Sequence, residues 1–276
     1  MNLLVIGDPE RKEKDMPLVE SGSSIFGEAV YVPVDEIRIE LEDGTKLVHN
    51  QKDLDGFDYV LPVPTRKHYD MFISVIEALP GMRLPYKPEA MPVFQKNIIG
   101  LAMLKNLGFM TSDVFFTISE DTLKYMDIEF PVEVMIGAKV MHAENKRHLI
   151  NIAKMRMPGQ GIMIKQLSVQ PVTECLIAGD TVIASLEYGR RIKRKRLENS
   201  FREHLCDALK FLGSEYGSIS FCENKIISVS LSPDFSLFNR FTKGNATAEL
   251  LAHIKRKLNM ERNVLESIIE LLKKIV

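Results

Sequence analysis

The densest concentration of reactive side chains is the run Arg190-Arg191-Ile192-Lys193-Arg194-Lys195-Arg196, six cations in seven residues. Fixed positive charge at that density suits oxyanions: the phosphates of a nucleotide or nucleic acid, or the carboxylates of an acidic tail. A solvated connection between a hairpin and a helix is the plainer role for the same run. Tyr188 is the one aromatic residue at its edge, so the stacking platform used for single strands is poorly provided. Cys175, Cys206 and Cys222 form no C-x-x-C pair and read as small core hydrophobes. Cys206 has His204 two positions away, but residues two apart on a helix do not face each other, so no thiol–imidazole pair is expected. The six histidines lack H-x-x-x-H metal spacing; His142 and His148 stand six apart with Glu144 between them. Among 14 methionines, Met155 and Met157 stand beside Pro158; core filling is the ordinary role of such residues, and an adaptable binding surface the other.

The remaining composition limits what those groups can serve. The chain has 276 residues, 45% hydrophobic and 26% charged, enough for one multi-lobed protein or two modest domains. Lys plus Arg number 36 and Asp plus Glu 37, a formal net charge of -1, so no global field draws the protein to nucleic acid or an anionic membrane. Neither is expected as a partner except through a local patch. An odd number of cysteines fits a reducing compartment. The apolar start, Met1 to Gly7, is too short for a secretory signal, and no apolar run approaches the roughly 20 residues of a membrane span. A cytoplasmic location is expected.

Elements that would position the site can be read from periodicity. Leu3 to Ile6 and Asp58 to Pro62 are buried-strand runs, and Tyr69, Phe72, Ile73, Ile76 and Leu79 recur at helical spacing. Ala29–Val34 and Ile37–Leu41 alternate up to Glu42-Asp43-Gly44, a hairpin signal. The first ~88 residues thus predict an α/β unit with a mostly parallel sheet. A proline cluster (Pro80, Pro85, Pro88, Pro92) marks a boundary. Ile98, Leu101, Leu104 and Leu107 predict a helix stopped by Gly108, and strands follow at 114–118, 130–136 and 161–165. Residues 174–178 and 181–186 predict a hairpin about Gly179-Asp180. Residues 197–212 predict a helix, and 219–221 pairs with 226–229. Two closing helices follow Asn245 and Asn259, the second with Leu265, Ile268, Ile269, Leu272 and Ile275 as an apolar stripe. Such a stripe could pack at home or seal a homo-oligomer.

Three stretches have a further likeness: Leu54-Asp55-Gly56-Phe57-Asp58-Tyr59-Val60-Leu61-Pro62 before a helix; Lys96 opening the helix that ends at Leu107-Gly108-Phe109; and Glu174 to Ser185 with its Gly-Asp turn. Their order and spacing resembles the ATP-grasp family, in particular ribosomal-protein glutamate ligases of the RimK type and their carboxylate-amine ligase relatives. The resemblance implies an α/β protein with α+β lobes: a Rossmann-like pre-ATP-grasp domain at 1–88, and an ATP-grasp-like domain at 89–276. The latter would divide into subdomains at about 89–164 and 165–276 that enclose a cleft.

Carried over residue by residue, the resemblance keeps the frame and loses the chemistry. Phosphoryl transfer needs two cations on the phosphates. Lys96 matches the first; at the second stands Met135 beside Glu133, with Lys139 four positions on as a substitute. The glycine-rich loop is reduced to Gly137 within Ile136–His142. At the adenine hinge stand Lys165 and Gln166, whose amide can pair with an adenine edge, while Glu174 replaces a phosphate-contacting arginine. The lid segment is absent except for the basic run. Metal positions are Ser220, Ser228 and Ser230, whose neutral hydroxyls do not supply the carboxylates magnesium prefers.

The resemblance therefore implies a RimK-like pseudoenzyme, a binding or accessory protein without metal-dependent ligase activity, having a protein partner and a weak nucleotide site formed by Lys96, Lys139, Lys165 and Gln166. ATP is the candidate cofactor and magnesium is not expected; no catalytic residue or metal ligand is assigned. Two alternatives stay open. One is an active ATP-dependent carboxylate-amine ligase holding magnesium through Asp234 or Glu223. The other is a nucleic-acid-associated protein using Arg190, Arg191, Lys193, Arg194, Lys195 and Arg196.

Overall fold

In the computed structural model the apolar N-terminal run becomes strand β1 (Asn2–Gly7), the middle of a three-stranded parallel sheet of order β2-β1-β6. Leu3 to Ile6 are wholly buried, as expected of a parallel strand covered on both faces. Helix α1 (Lys12–Phe26) crosses over to β2 (Glu28–Pro33). Strands β3 (Arg38–Glu40), β4 (Lys46–His49) and β5 (Lys52–Asp53) form a small antiparallel sheet before β6 (Tyr59–Pro62) and helix α2 (Tyr69–Glu77). The structure describes all residues except 42–43, 66, 79–83, 96, 138, 168–169 and 276, and the side chains of 95, 261–263 and 265–275.

One expectation changes here, and one helix was not expected. Residues 29–34 and 37–41 do not pair with each other. The helical crossover makes β2 parallel to β1, a short turn at Val34–Glu36 intervenes, and the hairpin forms between β3 and β4. Helix α1 had no clear periodicity, because Pro17, Gly22 and three serines interrupt its apolar positions. Its packing comes from neighbours: α1 lies against β2, α8 and α9 as well as β1.

The second lobe contains α3 (Ala90–Gln95), α4 (Asn97–Asn106), β7 (Val114–Thr117), α5 (Glu120–Leu123), β8 (Val132–Ile136), β9 (Lys139–Ala143), α6 (Lys146–Ala153) and β10 (Ile162–Gln166). Its antiparallel sheet runs β7-β10-β8-β9. Val132, Val134 and Ile136 alternate inward onto Leu149 and Ile152, making a core separate from the rest. The same alternation turns Glu133 and Met135 to the opposite face.

The third lobe is a five-stranded antiparallel sheet, β13-β12-β11-β14-β15. In chain order it comprises β11 (Val172–Ala178), β12 (Thr181–Tyr188), β13 (Ile192–Arg194), α7 (Asn199–Phe211), β14 (Tyr216–Cys222), β15 (Lys225–Ser230), α8 (Phe235–Thr242) and α9 (Asn245–Ile275). Gly179 takes φ 54° in the β11–β12 turn, where a glycine is favoured. In place of two closing helices there is one, of 31 residues; Asn259 lies within it, where neither Gly nor Pro interrupts. The stripe from Leu265 to Ile275 lies outside the described side chains. All three cysteines are buried and none is in a disulfide; burial pushes the Cys206 thiol up to about 11.

One continuous core joins the first lobe, α3, α4 and the third lobe. Tyr216 ties them with its buried hydroxyl, 2.7 Å from the Pro62 carbonyl and 2.9 Å from that of Leu231. No helix among the described residues is long and apolar enough to cross a membrane.

Candidate ligand cleft between the lobes

A cavity of about 430 Å³ opens where the three lobes meet, within the range of small-molecule sites. Its walls follow from strand alternation. From the second lobe β8 contributes Glu133 and Met135, and β10 contributes Met163 and Lys165. Facing them, β15 contributes Ser228 and Ser230, with Ser232 just beyond it. Met91 and Phe94 of α3 add apolar surface, and Arg11, Pro64 and Thr65 reach in from the first lobe.

Asn97 fixes one wall. Its side-chain amide donates to the Ile227 carbonyl (3.2 Å) and accepts from the Val229 N–H (3.1 Å), standing in for a further strand beside the edge strand β15. Those backbone groups would otherwise be buried without partners.

Lys165 lies directly opposite Glu133 in the β10–β8 register. Burial draws the Lys165 ammonium below its usual range, and the neighbouring Glu133 carboxylate partly restores it. The first-lobe wall sits at the carboxyl ends of β1 and β6. There the sheet order reverses, β2 lying on one side of β1 and β6 on the other, the kind of crevice in which open α/β sheets bind ligands. Thr65 donates to Asp8 (2.6 Å), which also accepts from the Glu10 N–H (2.9 Å). Burial works to raise the Asp8 carboxyl, but these hydrogen bonds and the charges of His68 and Lys67 hold it below its ordinary range. Arg11 donates to the Pro233 carbonyl (2.8 Å) and to Asp15 (3.3 Å). Asp15 is wholly buried, and burial raises its carboxyl to about 7 despite Arg11.

The structure distributes the expected site residues unevenly. Lys165 lines the cleft. Gln166, next along β10, turns away and donates to Glu129 (2.7 Å). Lys139 is exposed on β9, outside the cavity lining, and Lys96 lies outside the described residues. Ser228 and Ser230 are in the wall, while Ser220 stands opposite Ser228 across β14–β15. Glu174 accepts from the Tyr188 hydroxyl (2.7 Å). Of the carboxylates weighed for magnesium, Glu223 is exposed in the β14–β15 turn. Asp234 caps α8 through the Leu237 N–H (2.9 Å) and pairs with Lys14 (3.2 Å). The basic run is far from this lining: part of it forms β13 at the sheet edge. Among the described residues no group of three or more His, Cys, Asp or Glu side chains is placed to hold a metal ion.

Arg11, Thr65 and Asn97 were not expected in the site. The Gly7-Asp8-Pro9 turn ending the first strand was the available signal for Arg11, since such a turn at a parallel strand's carboxyl end is where ligand loops occur.

No known protein family's sequence pattern matches the chain, and no curated protein matches its sequence. Solved structures do match in fold. A RimK domain ATP-grasp protein from Sphaerobacter thermophilus superposes with a TM-score of 0.69 at 12% identity, over 91% of this chain and 99% of that one. The macrocyclase MdnC from Microcystis aeruginosa MRC, bound with precursor peptide MdnA, gives 0.69 at 11% identity over 91% and 99%. The ATP-grasp ligase PsnB, complexed with a precursor variant, Mg and ADP, gives 0.68 at 14% identity over 91% and 96%. At such identities the likeness is one of fold, and the fold is ATP-grasp.

Proposed function

From an ATP-grasp fold whose cleft is walled by serines, we propose a binding or accessory protein that has lost metal-dependent ligase chemistry and takes a nucleotide or similar anionic ligand in the cleft. The carrying observation is the row Ser228, Ser230 and Ser232 facing Glu133, Met135 and Lys165. Magnesium is held by carboxylate oxygens together with phosphate and water. Three neutral hydroxyls on one wall do not fit it, and the nearby carboxylate Glu133 stands opposite Lys165. A nucleotide fits better than its metal: Met91, Phe94, Met135 and Met163 offer apolar surface for a base, and Lys165 and Arg11 are cations at the same cavity. Arg11 is already engaged by Asp15 and Pro233, so its charge is only partly available to an anion in the cleft.

The test is calorimetric titration with ATP, with and without magnesium, beside an ADP-release assay containing amino acids or glutamate-rich peptides. Binding of similar affinity in both conditions with no ADP release is expected, and Lys165→Ala should weaken it. Ser228→Glu with Ser230→Asn should make ATP affinity magnesium-dependent. Tight magnesium-dependent binding with turnover by the unaltered chain would refute the proposal and favour an active carboxylate-amine ligase. Failure to bind ATP in either condition would remove the nucleotide from the proposal.

A further inference from the structure

A second concavity lies on the outer edge of the third lobe and shares no lining residue with the cleft. Strand β13 covers only residues 186–188 of the longer β12. Residues 182–185 therefore border a groove of about 390 Å³, with Val182, Ala184 and Leu197 as apolar lining and Arg194, Lys195, Arg196 and Arg202 around it.

The cations here are not equivalent. Both lysines of the run are committed to Glu187, Lys193 at 2.8 Å and Lys195 at 3.1 Å. Lys195 also donates to Thr173 (3.3 Å) and stands over the Phe221 ring. Its backbone is pinned on both sides of the peptide: the N–H donates to the Ser185 carbonyl (3.0 Å), and its own carbonyl accepts from the Ser185 hydroxyl. Arg202 donates one guanidinium N–H to the Val182 carbonyl (3.1 Å), which holds the head group at the rim. Among the described residues Arg190, Arg191, Arg194 and Arg196 form no ion pair. The uncommitted cations lining the groove, Arg194 and Arg196, are thus both arginines, and they stand on either side of Lys195, whose backbone is fixed to Ser185.

We propose that this groove docks an extended acidic segment of a partner protein, with carboxylates taken by Arg194, Arg196 and Arg202 while Arg190 and Arg191 extend the positive edge. A guanidinium presents a planar fork that matches a carboxylate, whereas an ammonium is a point charge. The apolar lining suits the aliphatic stems of Glu side chains. Nucleic acid fits less well. The half-buried Tyr188, held by its hydroxyl to Glu174, is not free as a stacking platform for bases.

The experiment is fluorescence anisotropy of the full chain with a labelled oligoglutamate, an oligoglutamine of equal length, and a single-stranded DNA of equal length, each at two salt concentrations. Oligoglutamate should bind, weaken as salt rises, and outcompete the other two. Arg194→Ser with Arg196→Ser should reduce its affinity at least about tenfold, while Lys46→Ser on the distant β4 should not. Circular dichroism checks that the variants remain folded. Replacing the same pair by lysine should recover only part of the loss. Oligoglutamate binding that is absent or unaffected by the double serine variant would overturn the proposal. So would DNA binding as tightly as oligoglutamate, or full recovery by lysine.

Discussion

Asp15→Asn should stabilise the protein at pH 8 and leave it nearly unchanged at pH 4. The carboxyl of Asp15 is wholly buried, one of its oxygens has no hydrogen-bond partner, and burial raises it from 3.8 to about 7, with Arg11 opposing and Asp234 and Asp8 adding to the rise. A carboxyl raised in the folded state binds a proton there that the unfolded chain has already released between about pH 4 and pH 7. Stability therefore falls as pH rises through that window, by ~1.4 kcal/mol per pH unit. The full span comes to about 4 kcal/mol, reached near pH 7 and constant above it. Asparagine copies the shape of the protonated acid and keeps an oxygen for Arg11 but cannot ionise, so the variant avoids this loss. Urea unfolding of both proteins at several pH values measures the difference directly, and titration of other groups cancels between them. The expected gap grows from near zero at pH 4 to about 2–4 kcal/mol at pH 8, in favour of the variant. A pH-independent gap would refute the reasoning. A variant less stable than the native chain at pH 8 would mean that the Arg11–Asp15 pair outweighs the burial of its charge.

Asn97→Ala should cost about 2–4 kcal/mol in chemical denaturation, because it leaves the buried Ile227 carbonyl and Val229 N–H unpaired at once; a loss below 1 kcal/mol would mean that water replaces the amide. Gly179→Ala should destabilise by at least about 1–2 kcal/mol, since the residue is at φ 54° and its new methyl would meet the His253 ring. Adding His253→Ala should recover the steric part only, as read by thermal unfolding, and full recovery would refute the backbone part.

Much of this fold was legible because it rests on local periodicity. Continuous apolar runs marked β1 and β6, and Gly179-Asp180 marked the turn between β11 and β12, since few other residues accept its backbone. The three-residue recurrence from Ile98 marked α4. The apolar residues of 130–136 marked β8, and in the structure the alternation of Val132, Val134 and Ile136 puts Glu133 and Met135 on one common face. The serines at 220, 228 and 230 were likewise visible as residue types.

Partners distant along the chain were not legible. Helix α1 has a weak pattern of its own, and it is held by β2, α8 and α9, the last more than 200 residues away. The parallel pairing of β2 with β1 required that helix as a crossover, so without it residues 29–41 read as a local hairpin. Lys165 and Gln166 are adjacent in sequence, yet strand alternation sends one into the cleft and the other to Glu129. Residue type alone determined that the β15 wall would be hydroxyls in place of carboxylates. Only the tertiary structure decided that Arg11, Thr65, Asn97, Lys165 and Ser228 share one cavity, because burial and charge act through distance in space, which sequence separation does not record.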